Sequence, residues 1–173
     1  VWNGSCSGTG AITVADTATL KGTGTLAGAT SVSSGGTIGP GLTGSGIGTL
    51  NTANVTFNTT STYTVDLDGT TPTFDKISSS GTVALGAAAN TLTVDSITNS
   101  TYGKVYTIIG ASTSVTGTFN GKAEASTFTV SGRTLRINYT ATTVTLTDVS
   151  SGSLVGPSVL FGTSLLNRSA LVN

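Results

Sequence analysis

The stretch "ATLKGTGTLAGATSVSSGGTIGPG", residues 18–41, decides the fold: Leu20, Leu26, Val32 and Ile38 fall in it at steps of six. Gly, Thr, Ser and Ala fill the gaps between them. Such a step resembles that of a solenoid, in which each short face contributes one inward apolar residue and the chain turns at small ones. Strands in such a coil stack about 4.8 Å apart, each pairing with the turn before and the turn after. The interior is then a narrow column of Val, Ile, Leu and Thr, which needs few charges and few aromatics.

Outward from this stretch the pattern stays strand-like. "AITVAD", "VTFN", "TYTVDLD", "TVAL", "TLTVDSI", "KVYTII", "STFTV", "TLRINYT" and "TVTLTDV" alternate large apolar residues with Thr, Asn or Asp. β-Branched residues fill these segments, helical patterning is missing, and Gly, Ser or Asn clusters separate them as turns. The fold class is all-β, and a right-handed parallel β-helix is favoured over a β-sandwich. A hairpin-built sandwich would use Asn-Gly or Asp-Gly two-residue turns between longer strands. Only "DLDGT", residues 66–70, has that look.

Composition narrows the function. Charged residues make up 8% of the chain, against roughly 25% in ordinary globular proteins. Seven scattered Lys and Arg cannot form the basic stripe that releases counterions from a polyanion, so nucleic acid is excluded as a partner. The single Cys6 has no internal disulfide partner. No apolar run reaches the ~18 residues of a membrane span. Methionine is absent, from which we expect a chain that has lost a leader or forms part of something larger, exported to the cell surface.

The segment from Gly35 to Val149 carries a resemblance. It runs through Pro40-Gly41, Gly48-Thr49-Leu50, Tyr63-Thr64-Val65-Asp66-Leu67 and Asp75-Lys76-Ile77, then "NTLTVDSI", "GKVYTIIGASTSVTGTFNG" and "LRINYTATTVTLTDV". This succession resembles the passenger-associated repeat of bacterial autotransporters and related giant surface proteins. The resemblance implies a right-handed parallel β-helix on the outside of a bacterial cell and implies no reaction.

The chemistry-bearing residues are sparse. Asp66, Asp68 and Asp75 cluster in sequence and are the weak calcium candidates, but a calcium cage takes about six oxygen ligands at controlled spacing, and no EF-hand or β-roll nonapeptide is present. Asp66 alternates with Tyr63, Val65 and Leu67 and so is expected to face away from the core. Asp68-Gly69 begins a turn that Pro72 stiffens, and Asp75 and Lys76 are expected to pair at the surface. Glycoside cleavage needs two carboxyls flanking the bond, and sugar-binding Arg, His and aromatic neighbours are missing here. With no His, neither a Ser-His-Asp nor a Cys-His arrangement is available, and zinc has no ligand cluster. The Gly-rich runs lack the Lys-Ser/Thr and helix of a phosphate loop. The expectation is a chain with no reaction and no cofactor. Trp2, Tyr63, Tyr102, Tyr106 and Tyr139 are read as packing residues, with a carbohydrate-stacking platform as the other reading.

The two ends decide the rest. A β-solenoid of residues 1–149 leaves unpaired backbone and an open apolar column at each end unless something covers it. Trp2 brings apolar surface to one end. At the other, residues 150–173 form an apolar tail with Leu154, Val155, Val159, Leu160, Phe161, Leu165, Leu166, Leu171 and Val172, and Arg168 as its one charge. The tail either caps its own solenoid or adds a strand to the next subunit. A heterologous contact of that kind gives an open filament. The leading expectation is therefore a non-enzymatic structural subunit whose partners are copies of itself, head to tail. The alternative is an adhesin segment that binds glycans.

Overall fold

The structure, a computed structural model, describes residues 2–42, 46–70, 73–86 and 90–150. Among them there is no helix, and none long and apolar enough to cross a membrane. The strands are short because each is bounded by small turn residues. The chain visits three sheets in rotation. β1 (Ser5–Cys6), β4 (Gly24–Leu26), β7 (Thr49–Thr52), β11 (Lys76–Ser79) and β14 (Val105–Ala111) pair in parallel in the first sheet. β2 (Ile12–Val14), β5 (Thr30–Val32), β8 (Val55–Phe57), β12 (Thr82–Ala84) and β15 (Ser114–Thr116) do so in the second. β3 (Thr19–Gly22), β6 (Thr37–Pro40), β9 (Thr62–Asp68) and β13 (Thr91–Thr98) form the third.

Parallel register lines up like residues. Gly24, Leu50, Ile77 and Ile109 lie side by side in the first sheet. Ile12, Thr30, Val55, Val83 and Val115 do so in the second, and Leu20, Ile38, Tyr63 and Leu92 in the third. These rows are the core: Ile38, Leu50, Val55, Ile77 and Val83 are all fully buried. Burial of each such side chain is worth about 1.5–3 kcal/mol, so the rows dominate the stability of a chain this poor in charge.

Among the described residues, antiparallel pairing between strands enters at two places, apart from isolated bridges such as Gly22 with Gly41. β10 (Thr73–Phe74) folds back on β9, with Phe74 opposite Leu67, which is where the "DLDGT" turn falls. β16 (Thr127–Val130), β17 (Arg133–Tyr139) and β18 (Thr143–Asp148) form an antiparallel unit that extends the first sheet from β14. Beside that unit Phe119 is buried, stacked 6.1 Å from Tyr63 and edge-on to Phe57 at 6.3 Å. Its N–H donates to Tyr139 Oη at 3.1 Å, and the Tyr139 hydroxyl donates to the Lys122 carbonyl at 2.8 Å. Ser150 still belongs to this body, since its N–H donates to Asp148 Oδ1 and its Oγ accepts from Thr134 N–H. Pro72 and the apolar tail residues Leu154 to Val172 lie outside the described residues.

Candidate functional site: the acidic turn and the open edge

The three aspartates of the acidic turn each have their own partners. Asp75 is buried, and its carboxylate accepts from Gly48 N–H at 2.8 Å on one oxygen and from Asp66 N–H at 3.0 Å on the other. Its own N–H donates to the Asp66 carbonyl at 2.9 Å. β6 pairs with β9 only at Thr62 and Tyr63, so the Asp75 side chain and β10 take up β9 backbone that β6 leaves free. Asp75 therefore ties β9 to the segment entering β7. Gly41 makes room for it: φ there is +84°, and a Cβ would stand 2.5 Å from Asp75 Oδ1.

This corrects two sequence expectations. Asp75 and Lys76 do not pair at the surface, because backbone N–H groups claim the carboxylate and the Lys76 chain lies over Gly110 instead. Asp66 alternates with the inward Val65 and Leu67, yet it is 4% exposed and not a surface residue. Ser96 of β13 donates to its Oδ1 at 2.6 Å. Asp68 accepts from Thr70 N–H and from the Asn99 amide. Among the described residues no group of three or more His, Cys, Asp or Glu could hold a metal.

The electrostatics follow from these partners. Burial pushes the Asp75 carboxyl up to about 7, outweighing the two N–H donors that favour its charge. Asp68 is lowered, first by the Thr70 N–H and then by the Asn99 amide. Lys21 reaches along Gly39 to Asp95, with Nζ 3.4 Å from Oδ2 in a partly exposed pair. Such a pair is worth at most ~1 kcal/mol. None of these groups is a free carboxyl facing a cleft, so the cluster is a fastening.

A second polar centre was not among the sequence expectations. Asp148 is fully buried and takes both Arg133 Nε at 2.7 Å and Nη2 at 2.6 Å on one oxygen, joined by the Ser100 hydroxyl. Burial pushes its carboxyl up, but the hydrogen bonds from Ser100, Ser150 and Arg133 together win and hold it below the usual range. The alternation of "TVTLTDV" does set Asp148 on the face of the buried Val144 and Leu146, the one signal that could have found it, although a carboxylate on that face reads as a strand end. The aromatics divide: Tyr63 and Tyr106 are fully buried, Tyr139 is half-buried with its hydroxyl engaged, and Trp2 and Tyr102 are exposed.

The remaining feature is the N-terminal edge. Among the described residues, β1, β2 and β3 each have a parallel neighbour strand on one side only. Between them opens an apolar bowl of about 190 Å³ lined by Trp2, Cys6, Ile12, Leu20 and Leu26. Trp2 lies across part of the rim, its N–H donating to the Lys21 carbonyl at 2.6 Å. The tail residues named from the sequence are outside the described residues, so of the expected interface only Trp2 is placed, and it is placed here.

No family model matches the chain, and no curated protein matches it significantly.

Proposed function

We propose that this chain is a non-enzymatic structural subunit, a right-handed parallel β-helix that assembles head to tail into an extracellular filament or sheath. The rotation of the chain through three parallel sheets in constant order supports the β-helix reading. One observation carries the assembly reading. The two ends of the apolar column differ: Phe119 and the β16–β18 unit lie over one end, whereas the other ends in the Trp2–Cys6–Ile12–Leu20–Leu26 bowl and three half-paired strands. An end of this kind presents unpaired N–H and C=O groups and apolar surface together, the combination that β-augmentation uses. A contact between unlike ends does not close on itself and propagates as a filament.

Negative-stain microscopy of the native protein tests the reading. Filaments are expected from the full chain and soluble monomers from a chain lacking residues 154–173. Filaments of unchanged form without those residues would sink the tail mechanism, and dispersed particles from the full chain would sink the assembly itself.

A second reading, an adhesin segment that binds glycans, draws on a shallow groove of about 410 Å³ across the first sheet. Thr25 of β4, Asn51 of β7 and Ser78 of β11, with Ser112 just after β14, supply hydroxyl and amide groups along it. Retention of the truncated monomer on a neutral polysaccharide column, lost on Asn51→Ala, would favour that reading.

A further inference from the structure

We infer that residues 154–172 supply one complete additional turn of the solenoid, seated on the N-terminal edge of the next copy. The inference rests on the head-to-tail reading and deepens it by fixing the register. In the described body the inward residues Val14, Leu20, Leu26, Val32 and Ile38 recur every six residues and pass from sheet to sheet. The first turn takes eighteen residues at two of its faces, Leu20 standing beside Ile38 and Val14 beside Val32, and later turns are longer, as Tyr63 beside Leu92 shows. The tail repeats this arithmetic. Leu154, Leu160, Leu166 and Val172 are spaced by six, and Leu154 and Val172 are eighteen apart.

The residues between them follow the same plan. Leu20-Lys-Gly-Thr-Gly-Thr-Leu26 has its counterpart in Leu160-Phe-Gly-Thr-Ser-Leu-Leu166, and Leu26-Ala-Gly-Ala-Thr-Ser-Val32 in Leu154-Val-Gly-Pro-Ser-Val-Leu160. Gly sits third in the four hexads just compared, where the body turns from one sheet to the next (a Cβ on Gly28 would meet the Gly10 carbonyl oxygen), whereas Arg168 holds that place in the last tail hexad and Asp16 in the body hexad from Val14. A strand added at a single edge would need apolar residues at a period of two. A period of six over eighteen residues is what three faces need.

A second copy receives the tail without unwinding its first hexad. Ser150 is anchored beside β17, and Leu154 is four residues further on, a reach of at most ~14 Å. β18 lies five strand positions from β1 in the first sheet, which is about 24 Å at ~4.8 Å per step. To bring Leu160 to Cys6 of its own molecule, the chain from Ser150 would have to run nearly straight for most of its ~34 Å reach, and the hexad from Leu154 to Leu160 could then form no part of a turn. Continuing the body's order onto the next copy sets Leu160 beside Cys6, Leu166 beside Val14 and Val172 beside Leu20, the places that Leu26, Val32 and Ile38 take on the inner side. Trp2 lies along Lys21, leaving Thr19 and Leu20 for the end of that turn.

Cys6, the only cysteine in the chain, provides the test. Full-length Leu160→Cys is assembled, treated with a thiol–thiol cross-linker about 5 Å long, matched to the strand spacing, and run on a denaturing gel. A ladder of dimers, trimers and higher bands is expected, with none from the wild type or from Phe161→Cys, whose side chain faces outward in this register. Where Leu160→Cys does not assemble, the Cys6→Ser/Val14→Cys/Leu166→Cys triple variant reads the second contact and should give the same ladder. Filaments in which positions 160 and 161 link equally, or neither links, would overturn the added turn and leave head-to-tail assembly standing. A link confined to monomers would show the tail on its own chain and overturn the inference. A full chain that stays monomeric by microscopy overturns the assembly reading, and this register with it.

Discussion

Tyr63 carries a hydroxyl into the driest part of the molecule, and its surroundings explain why. The hydroxyl donates to the Ile108 carbonyl at 2.6 Å and accepts from Ile77 N–H at 3.3 Å, so one side chain from the third sheet satisfies two backbone groups of the first. The Ile108 carbonyl is available because the β14–β18 register shifts between Thr107 and Ile109. Tyr63→Phe keeps the ring and its stacking on Phe119 but orphans both groups. Stability should fall by about 2 kcal/mol, read as a lower urea midpoint at unchanged slope. Asp75 gives a prediction of the opposite kind. Its pKa is raised on folding, so the native state holds its proton to higher pH than the unfolded chain does. Stability contributed by that proton is present below pH about 4 and lost as pH rises through about 7. Comparing thermal melts of wild type and Asp75→Asn from pH 4 to 8 should show the wild-type advantage shrinking steadily to pH 7 and flat beyond. An advantage that grows with pH would mean the two N–H donors outweigh burial. Asp68, Asp148 and Glu124, all lowered, act in a separate window, where stability is lost as pH falls below the ordinary carboxylate range.

At the scale of elements the rows of like residues contain deliberate-looking faults. Thr30 lies in register between Ile12 and Val55, and its hydroxyl is buried with no partner, as are those of Thr52 and Thr64. Thr30→Val keeps the shape and removes an unpaid desolvation, so it should stabilise by about 1 kcal/mol, visible as a higher melting temperature. The antiparallel unit depends on Asp148 in the same local way. Arg133→Met leaves that carboxylate buried with its cation gone and should cost about 3 kcal/mol, with faster amide exchange in β17 and β18. Much of this layer was legible in advance. "TYTVDLD" is β9 residue for residue, and "DLDGT" is the turn into the antiparallel β10. The step of six from Leu20 to Ile38 is readable because one inward residue per face leaves no other regular period. The closing unit was not readable, since "TLRINYT" and "TVTLTDV" alternate like parallel strands, and direction is set by partners far along the chain. The burial of Asp75 was hidden for a related reason. A carboxylate that replaces a missing neighbour strand looks, in sequence, like any polar turn residue.

For the whole molecule, the low charge and the lack of His mean that the proposed assembly would join copies by backbone pairing and apolar packing. Two consequences can be measured together. Joints of this kind have few ionic contacts to screen, so filament length should change little between 0.02 and about 1 M salt, over which the Debye length falls several-fold. The second consequence concerns β1, β2 and β3. In a free subunit their outer N–H groups face solvent, and their exchange should be fast relative to β7 or β11, which are paired on both sides. Seating a further turn on that edge pairs those groups and covers Trp2, Cys6 and Leu20. Amide exchange of filaments against the 154–173 deletion should then show protection gained at Ser5–Cys6 and Ile12–Val14, with β11 unchanged. Trp2 fluorescence should shift to shorter wavelength in the same comparison. Protection confined to β15 and β13, the opposite edges of the second and third sheets, would place the joint elsewhere, since among the described residues the N-terminal edge alone leaves all three sheets open on the same side.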